Sequence, residues 1–185
     1  MGDPEMSSEA SVRGTTRPAG PTDGFDAFYR EMAPRLVVLG RSITGSVAVA
    51  EEVAQEALFV AHRRWDRVAA LDRPDLWVRR VATNRCISIW RRRLVEHRAN
   101  KRAATRAADH VDSPIEVGDG LLWEEVRRLP HRQAAALSLH YVDQLTTAEI
   151  GEVLGCSAST VQTHLARGRA ALRERMEGRE EHDRG

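Results

Sequence analysis

This sequence predicts an all-α protein of two small helical domains joined by a flexible linker, and three observations predict it. Apolar residues recur at three- and four-residue spacing through residues 23–98 and again through 119–176. Between these blocks, Ala99 to Gly118 shifts to Ala, Arg, Asp and Ser, with Pro114 and Gly118 as breakers, which reads as a linker. No stretch alternates apolar and polar residues between hairpin turns, so strands are not expected.

The chain has 185 residues, 42% hydrophobic and 30% charged, which suffices for one or two compact cores. Its formal net charge is only +1, but the charge is segregated. From Arg79 to Arg106 there are ten Arg or Lys residues against one acid, Glu96. Cys86 and Cys156 stand far apart without metal-ligand spacing, as expected of thiols in a reducing compartment. No apolar run is long enough to span a bilayer. Residues 1–22, rich in Ser, Gly, Pro and Thr without an apolar signal core, read as a disordered lead-in. A cytoplasmic protein is expected.

In the first block, Phe25, Phe28 and Tyr29 open an amphipathic helix that continues through Leu36, Val37 and Leu39, with Gly40 and Gly45 loosening its end. The next helix spans about Ser46 to Trp65. Val49, Ala50, Val53, Ala57, Val60 and Ala61 form its buried stripe, and Glu51, Glu52, Gln55, Phe59 and His62 its other side. A phenylalanine among those polar residues points to a partner contact or to packing on a neighbouring segment. Pro74 then sits near the start of a basic helix, about Asp75 to Arg93, where a missing N–H costs nothing. Trp77 and Trp90 lie on that helix and Trp65 precedes it. Cations track phosphates while aromatic faces stack on unpaired bases, each worth about 1–3 kcal/mol. The competing role for each tryptophan is core packing. Arg91, Arg92 and Arg93 repel one another and gain most from a polyanion.

The C-terminal block carries a helix-turn-helix. Leu121, Leu122 and Val126 stripe one helix, which stops at Leu129-Pro130, and Arg132 to Tyr141 form the next. Thr146 or Thr147 caps a short helix, and Glu149 completes a capping box if Thr146 is the cap. Ile150, Val153 and Leu154 are its buried face, Gly155 permits a left-handed turn, and Ser157 caps the last helix. On that helix Val161, Leu165, Gly168 and Leu172 share one arc. Ser159, Thr163, Ala166, Arg167 and Ala170 share the opposite one, flanked by Gln162. Such a small, polar and basic face fits a major groove.

These blocks, taken in order, resemble the extracytoplasmic-function (ECF) group of sigma-70 factors of bacterial RNA polymerase over about Phe25 to Arg175. Ala50 through Trp65 resembles the part of region 2 that docks on the polymerase clamp, and Trp77 to Asn84 through Arg93 the helix that opens and holds the −10 element. Leu129 to Arg132, Leu145 to Ser157, Thr160-Val161, Arg167 and Ala171 to Arg173 resemble region 4, which reads the −35 element. The resemblance implies two domains, region 2-like at 23–98 and region 4-like at 119–176, with a C-terminal tail at 177–185. It implies that Glu52, Gln55, Glu56 and Phe59 meet the β′ clamp helices of core RNA polymerase, while the helix-turn-helix sits on promoter DNA and the β flap. Trp77, Arg80, Asn84, Arg91, Arg92 and Arg93 then serve the −10 element and backbone, and Ser159, Thr160, Gln162, Thr163, His164 and Arg167 the −35 duplex. The linker would thread toward the RNA exit path. The family commonly has anti-sigma partners. Neither cofactor nor bond chemistry is implied, since the polymerase supplies the metal and catalysis.

The alternative is a helix-turn-helix regulator that binds duplex DNA independently of polymerase, which Thr160 to His164 also fits. The first block argues against it: it lacks the βα alternation of a receiver domain and carries a Trp/Arg helix that duplex readers do not need.

Overall fold

The structure is a computed structural model that describes residues 21–101 and 120–183, all of whose regular elements are helices. Most of the expected 99–118 linker and of the 1–22 lead-in lies outside the described residues. The first half holds α1 (Pro21–Thr44), α2 (Val47–Arg63), the short α3 (Trp65–Val68) and α4 (Pro74–Lys101). The second holds α5 (Gly120–Arg127), α6 (His131–Tyr141), α7 (Thr147–Leu154) and α8 (Ala158–Asp183).

Helix α1 buries Phe25, Met32, Leu36, Leu39 and Ile43, a stripe at helical spacing, against α2. Gly40 does not loosen this helix. It lies inside it and lets the two backbones approach, since a Cβ there would stand 3.1 Å from the Cα of Ala50. The helix ends just before Gly45, and Ser46 caps α2 by accepting the N–H of Val49 at 3.4 Å. Helix α2 buries Ala50, Val53, Ala54, Ala57, Leu58 and Ala61, a narrow and mostly small-residue stripe. The chain breaks at Arg64, so Trp65 opens a separate turn and packs on Phe25 and Phe28, with ring centroids 5.3 and 5.0 Å away.

Helix α4 is central. It packs on α1 and α2 from one side and on α6 and α7 from the other, burying Leu76, Val78, Ala82, Cys86 and Ile87. The buried apolar residues form one continuous cluster from Phe25 in α1 to Leu165 in α8. The two halves therefore share a core.

In the second half, α8 runs on through Asp183, across much of the expected 177–185 tail. The physical reason is Glu125 of α5, whose side chain is 3% exposed. It accepts hydrogen bonds from Arg128, from Arg175 at 3.4 Å and from Arg179 at 2.9 Å, tying the last turns of α8 to α5.

Candidate nucleic-acid interface

The helix-turn-helix is built by local chemistry. Thr146 accepts the N–H of Glu149 at 3.3 Å, and Glu149 Oε2 accepts the N–H of Thr146 at 2.8 Å, a complete capping box. Gly155 closes α7 at φ +66°, a conformation in which a side chain would strain the backbone. Arg132 donates to the Leu154 carbonyl at 3.2 Å, so α6 also holds this turn. Ser157 accepts the N–H of Thr160 at 3.2 Å and starts α8.

On α8, Val161, Leu165 and Gly168 are buried, while Ser159, Gln162, Thr163 and Arg167 are exposed together. Those four present hydroxyl, amide and guanidinium groups on one open face. Thr160 and His164 are half-buried at its edge. The Thr160 hydroxyl lies 2.8 Å from that of Ser157. His164 has a lowered pKa because of burial and then the charges of Arg132 and Arg167.

Along α4 the expected −10 residues divide. Arg80, Asn84, Arg91 and Arg92 are exposed, while the Arg93 side chain lies outside those described. Trp77 is half-buried and, with Leu71, Arg73, Leu76, Arg80 and Glu152, lines a recess of about 380 Å³ at the contact with α7. Trp90 is half-buried as well, its ring centroid 5.2 Å from that of His131. Burial, followed by the charges of Arg91, Arg132 and His164, lowers the pKa of His131. Arg79, first of the ten basic residues, is 3% exposed and paired with Asp75 at 2.9 Å and Asp143 at 2.7 Å. It is structural, and the cationic surface begins at Arg80.

On the far side of the first half, Glu52, Gln55, Glu56 and Phe59 line one open groove of about 720 Å³ with Phe25, Tyr29, Leu58, His62 and Arg85. Phe59 is 60% exposed, so packing on a neighbouring segment does not account for it. Glu56 forms an ion pair with Arg85 at 2.7 Å. Tyr29 and Arg85 complete this groove. Sequence spacing did not select them, because they come from α1 and α4 and meet α2 only in three dimensions.

Residues 28–94 match the family described as Sigma-70 region 2, and residues 119–172 match Sigma-70 region 4. The RNA polymerase sigma-E factor of Streptomyces avermitilis is 30% identical over 157 residues, covering 84% of this chain and 87% of that relative. The chain belongs to the sigma-70 family, as an ECF sigma factor. A second relative, the ECF RNA polymerase sigma factor SigW of Bacillus subtilis, is 29% identical, with 85% of this chain and 91% of that one covered. The fold is also that of the sigma factor RpoE, solved in complex with the anti-sigma factor NepR from Bartonella quintana. That likeness has a TM-score of 0.68 at 19% identity and covers 83% of this chain and 97% of that one.

The sigma-70 matches coincide with the two helical halves, region 2 spanning α1 into α4 and region 4 spanning α5 into α8. No described helix of this ECF factor is long and apolar enough to cross a membrane. Both thiols are free, Cys86 buried with its pKa pushed up to about 12 by that burial and Cys156 half-buried.

Proposed function

We propose that this chain binds core RNA polymerase and directs it to promoters, reading the −35 element with region 4 and opening and holding the −10 element with region 2. The polymerase supplies catalysis, and this chain works in the cytoplasm as a non-enzymatic subunit. One observation carries the reading. A single chain holds a capped helix-turn-helix with Ser159, Gln162, Thr163 and Arg167 exposed together, and a separate groove in which Glu52, Gln55, Glu56 and Phe59 are exposed together. A regulator that binds duplex DNA alone has no use for the second surface.

In this reading the groove receives a polymerase helix, Phe59 entering as the apolar anchor and Glu52 and Gln55 as its polar rim. The exposed face of α8 enters the −35 major groove, its hydroxyl and amide groups on base edges and Arg167 on base or phosphate. Thr160 and His164 border that contact. Arg80, Asn84, Arg91, Arg92 and Arg93 then follow the phosphates of the −10 strand, with Trp77 beside its unpaired bases. Arg91 and Arg92 are both exposed and so open to a phosphate. An anti-sigma factor is a further partner of the same chain.

Reconstitution with core RNA polymerase, followed by run-off transcription on genomic fragments, tests the reading. Promoter-specific transcripts are expected only when the chain is present. Tight duplex binding without polymerase, and no such transcripts with it, would overturn the proposal in favour of the independent regulator.

A further inference from the structure

Two arginines leave the recognition helix on opposite sides. Arg167 and Arg169 are both exposed, and two residues along α8 turn the helix by about 200°. The exposed Ser159 and Thr163 point outward between them. Gln162 precedes Arg169 by about two turns and lies on nearly the same side. A helix about 10–12 Å across fills a major groove about 12 Å wide, so a phosphate strand runs along each flank. Arg167 stands at one flank and Arg169 at the other.

Arg169 is not a loose surface cation. Its Nε donates to the Tyr141 hydroxyl at 2.9 Å, and its guanidinium carbon lies 5.6 Å from the centre of that ring. The packing of α6 on α8 creates this pair. Gly168 is buried, and a Cβ there would stand 2.9 Å from Cδ1 of Leu137, so the two helices cross closely. The next residue of α8 is Arg169, and one turn beyond Leu137 in α6 is Tyr141. The His140 ring meets Tyr141 edge-on, with centroids 4.9 Å apart, and its Nδ1 lies 3.2 Å from the Leu145 carbonyl oxygen. Tyr141 nevertheless remains 56% exposed. Among the described residues no carboxylate pairs with Arg169. The bond from Nε leaves both terminal nitrogens for a second acceptor, and a phosphate takes two such donors side by side.

We propose that Tyr141 and Arg169 form a phosphate clamp on the −35 duplex, gripping the strand across the groove from the one nearer Arg167. This deepens the proposed function and rests on it. The clamp supplies affinity and orientation without reading sequence, because the backbone is alike at every step. The face it flanks explains its use. Ser159, Gln162 and Thr163 carry no charge, which leaves Arg167 as the one cation among the exposed recognition residues. A second cation on the far strand holds α8 at a fixed angle in the groove.

The test uses holoenzyme assembled from the full chain and core RNA polymerase, on a fragment that supports run-off transcription. Arg169→Gln removes the charge and keeps a hydrogen-bond donor for Tyr141, whereas Arg169→Lys keeps the charge. The slope of log affinity against log salt should fall by about 0.9 with glutamine and recover with lysine. The loss should be equal on promoters that carry single base changes in the −35 element. Tyr141→Phe should weaken binding about fivefold, the loss of one ordinary hydrogen bond, with the slope unchanged. Methylphosphonates placed singly along each strand remove one phosphate charge at a time. One of them should weaken the parent holoenzyme but not the Arg169→Gln form, on the strand opposite the one that behaves so for Arg167→Gln. An Arg169→Gln slope equal to the parent's overturns the proposal, as does a response on the same strand as Arg167 or a Tyr141→Phe affinity equal to the parent's. A loss that lysine fails to rescue assigns the pair to helix packing alone and overturns it too. If the parent holoenzyme yields no promoter-specific transcript, the sigma function fails instead. The same salt titration of the chain alone on duplex DNA then decides the clamp.

Discussion

Arg79 and Asp143, 64 residues apart, form an ion pair at 2.7 Å in which the two side chains are 4% and 5% exposed. Burial pushes the Asp143 carboxyl above its usual pKa, against the pull of the Arg79 charge and hydrogen bond. Both ions have left water, so neither tolerates loss of the other. Asp75 stands 2.9 Å from Arg79 and shares the charge.

Replacing Asp143 by alanine leaves Arg79 buried with only Asp75. The expected cost is about 3 kcal/mol, the low end for breaking a buried pair. Because the pair joins the two halves, a single urea transition should separate into two, read by circular dichroism and tryptophan fluorescence. Coincident transitions with an unchanged midpoint would show that the pair contributes nothing to their coupling.

Glu149 has its pKa lowered to about 2 from 4.5. The backbone N–H of Thr146 is the largest cause, followed by Arg73 and the Thr146 hydroxyl. A folded-state pKa below the unfolded one means that the unfolded chain binds the proton more tightly. The stabilisation is present above about pH 4.5 and disappears as pH falls through about 2. Glu149→Gln should therefore lower the melting temperature near neutral pH and make it fall less steeply in acid. Parallel thermal melts of the two proteins from about pH 7 to pH 2 check this.

Gly151 is fixed by the turn that follows it. A Cβ there would stand 2.7 Å from the carbonyl oxygen of Cys156, a backbone atom that cannot rotate aside. Gly151→Ala should cost about 1–3 kcal/mol through overpacking and should tilt α8 away from α7. Chemical denaturation gives the cost, and weaker binding to −35 duplex gives the tilt.

Phe59→Ala should leave the fold intact, because the ring is mostly in solvent. If the groove receives polymerase, affinity for the core enzyme should fall about 30-fold, equivalent to about 2 kcal/mol at an anchor position. Competition between labelled wild-type chain and the variant for core enzyme measures this, with Ala48→Gly as an exposed control on the same helix.

Arg91→Ala with Arg92→Ala should weaken binding to −10 single strands and reduce the slope of log affinity against log salt by about 1.4, from ~0.7 per contact on a single strand. A salt titration that returns the wild-type slope would remove both arginines from the phosphate contacts.

Much of this protein was determined by the sequence alone. Helical periodicity located the helices, because the buried stripe of an amphipathic helix is written locally at every third or fourth residue. The capping box at Thr146 and Glu149 and the left-handed Gly155 were legible for the same reason, as was the exposed face of Ser159, Gln162, Thr163 and Arg167. Tertiary structure alone decided what depends on residues distant in sequence. It turned Arg79 from one of ten cations into a buried structural ion, and packed the half-buried Trp65 against Phe25 at the core's edge and Trp90 on His131. It added Tyr29 and Arg85 to the Phe59 groove and set α7 against α4. Such pairings are chosen by shape and by the cost of leaving a buried charge alone. A local pattern announces that a helix has a buried face, but which partner covers that face is settled only when the chain has folded.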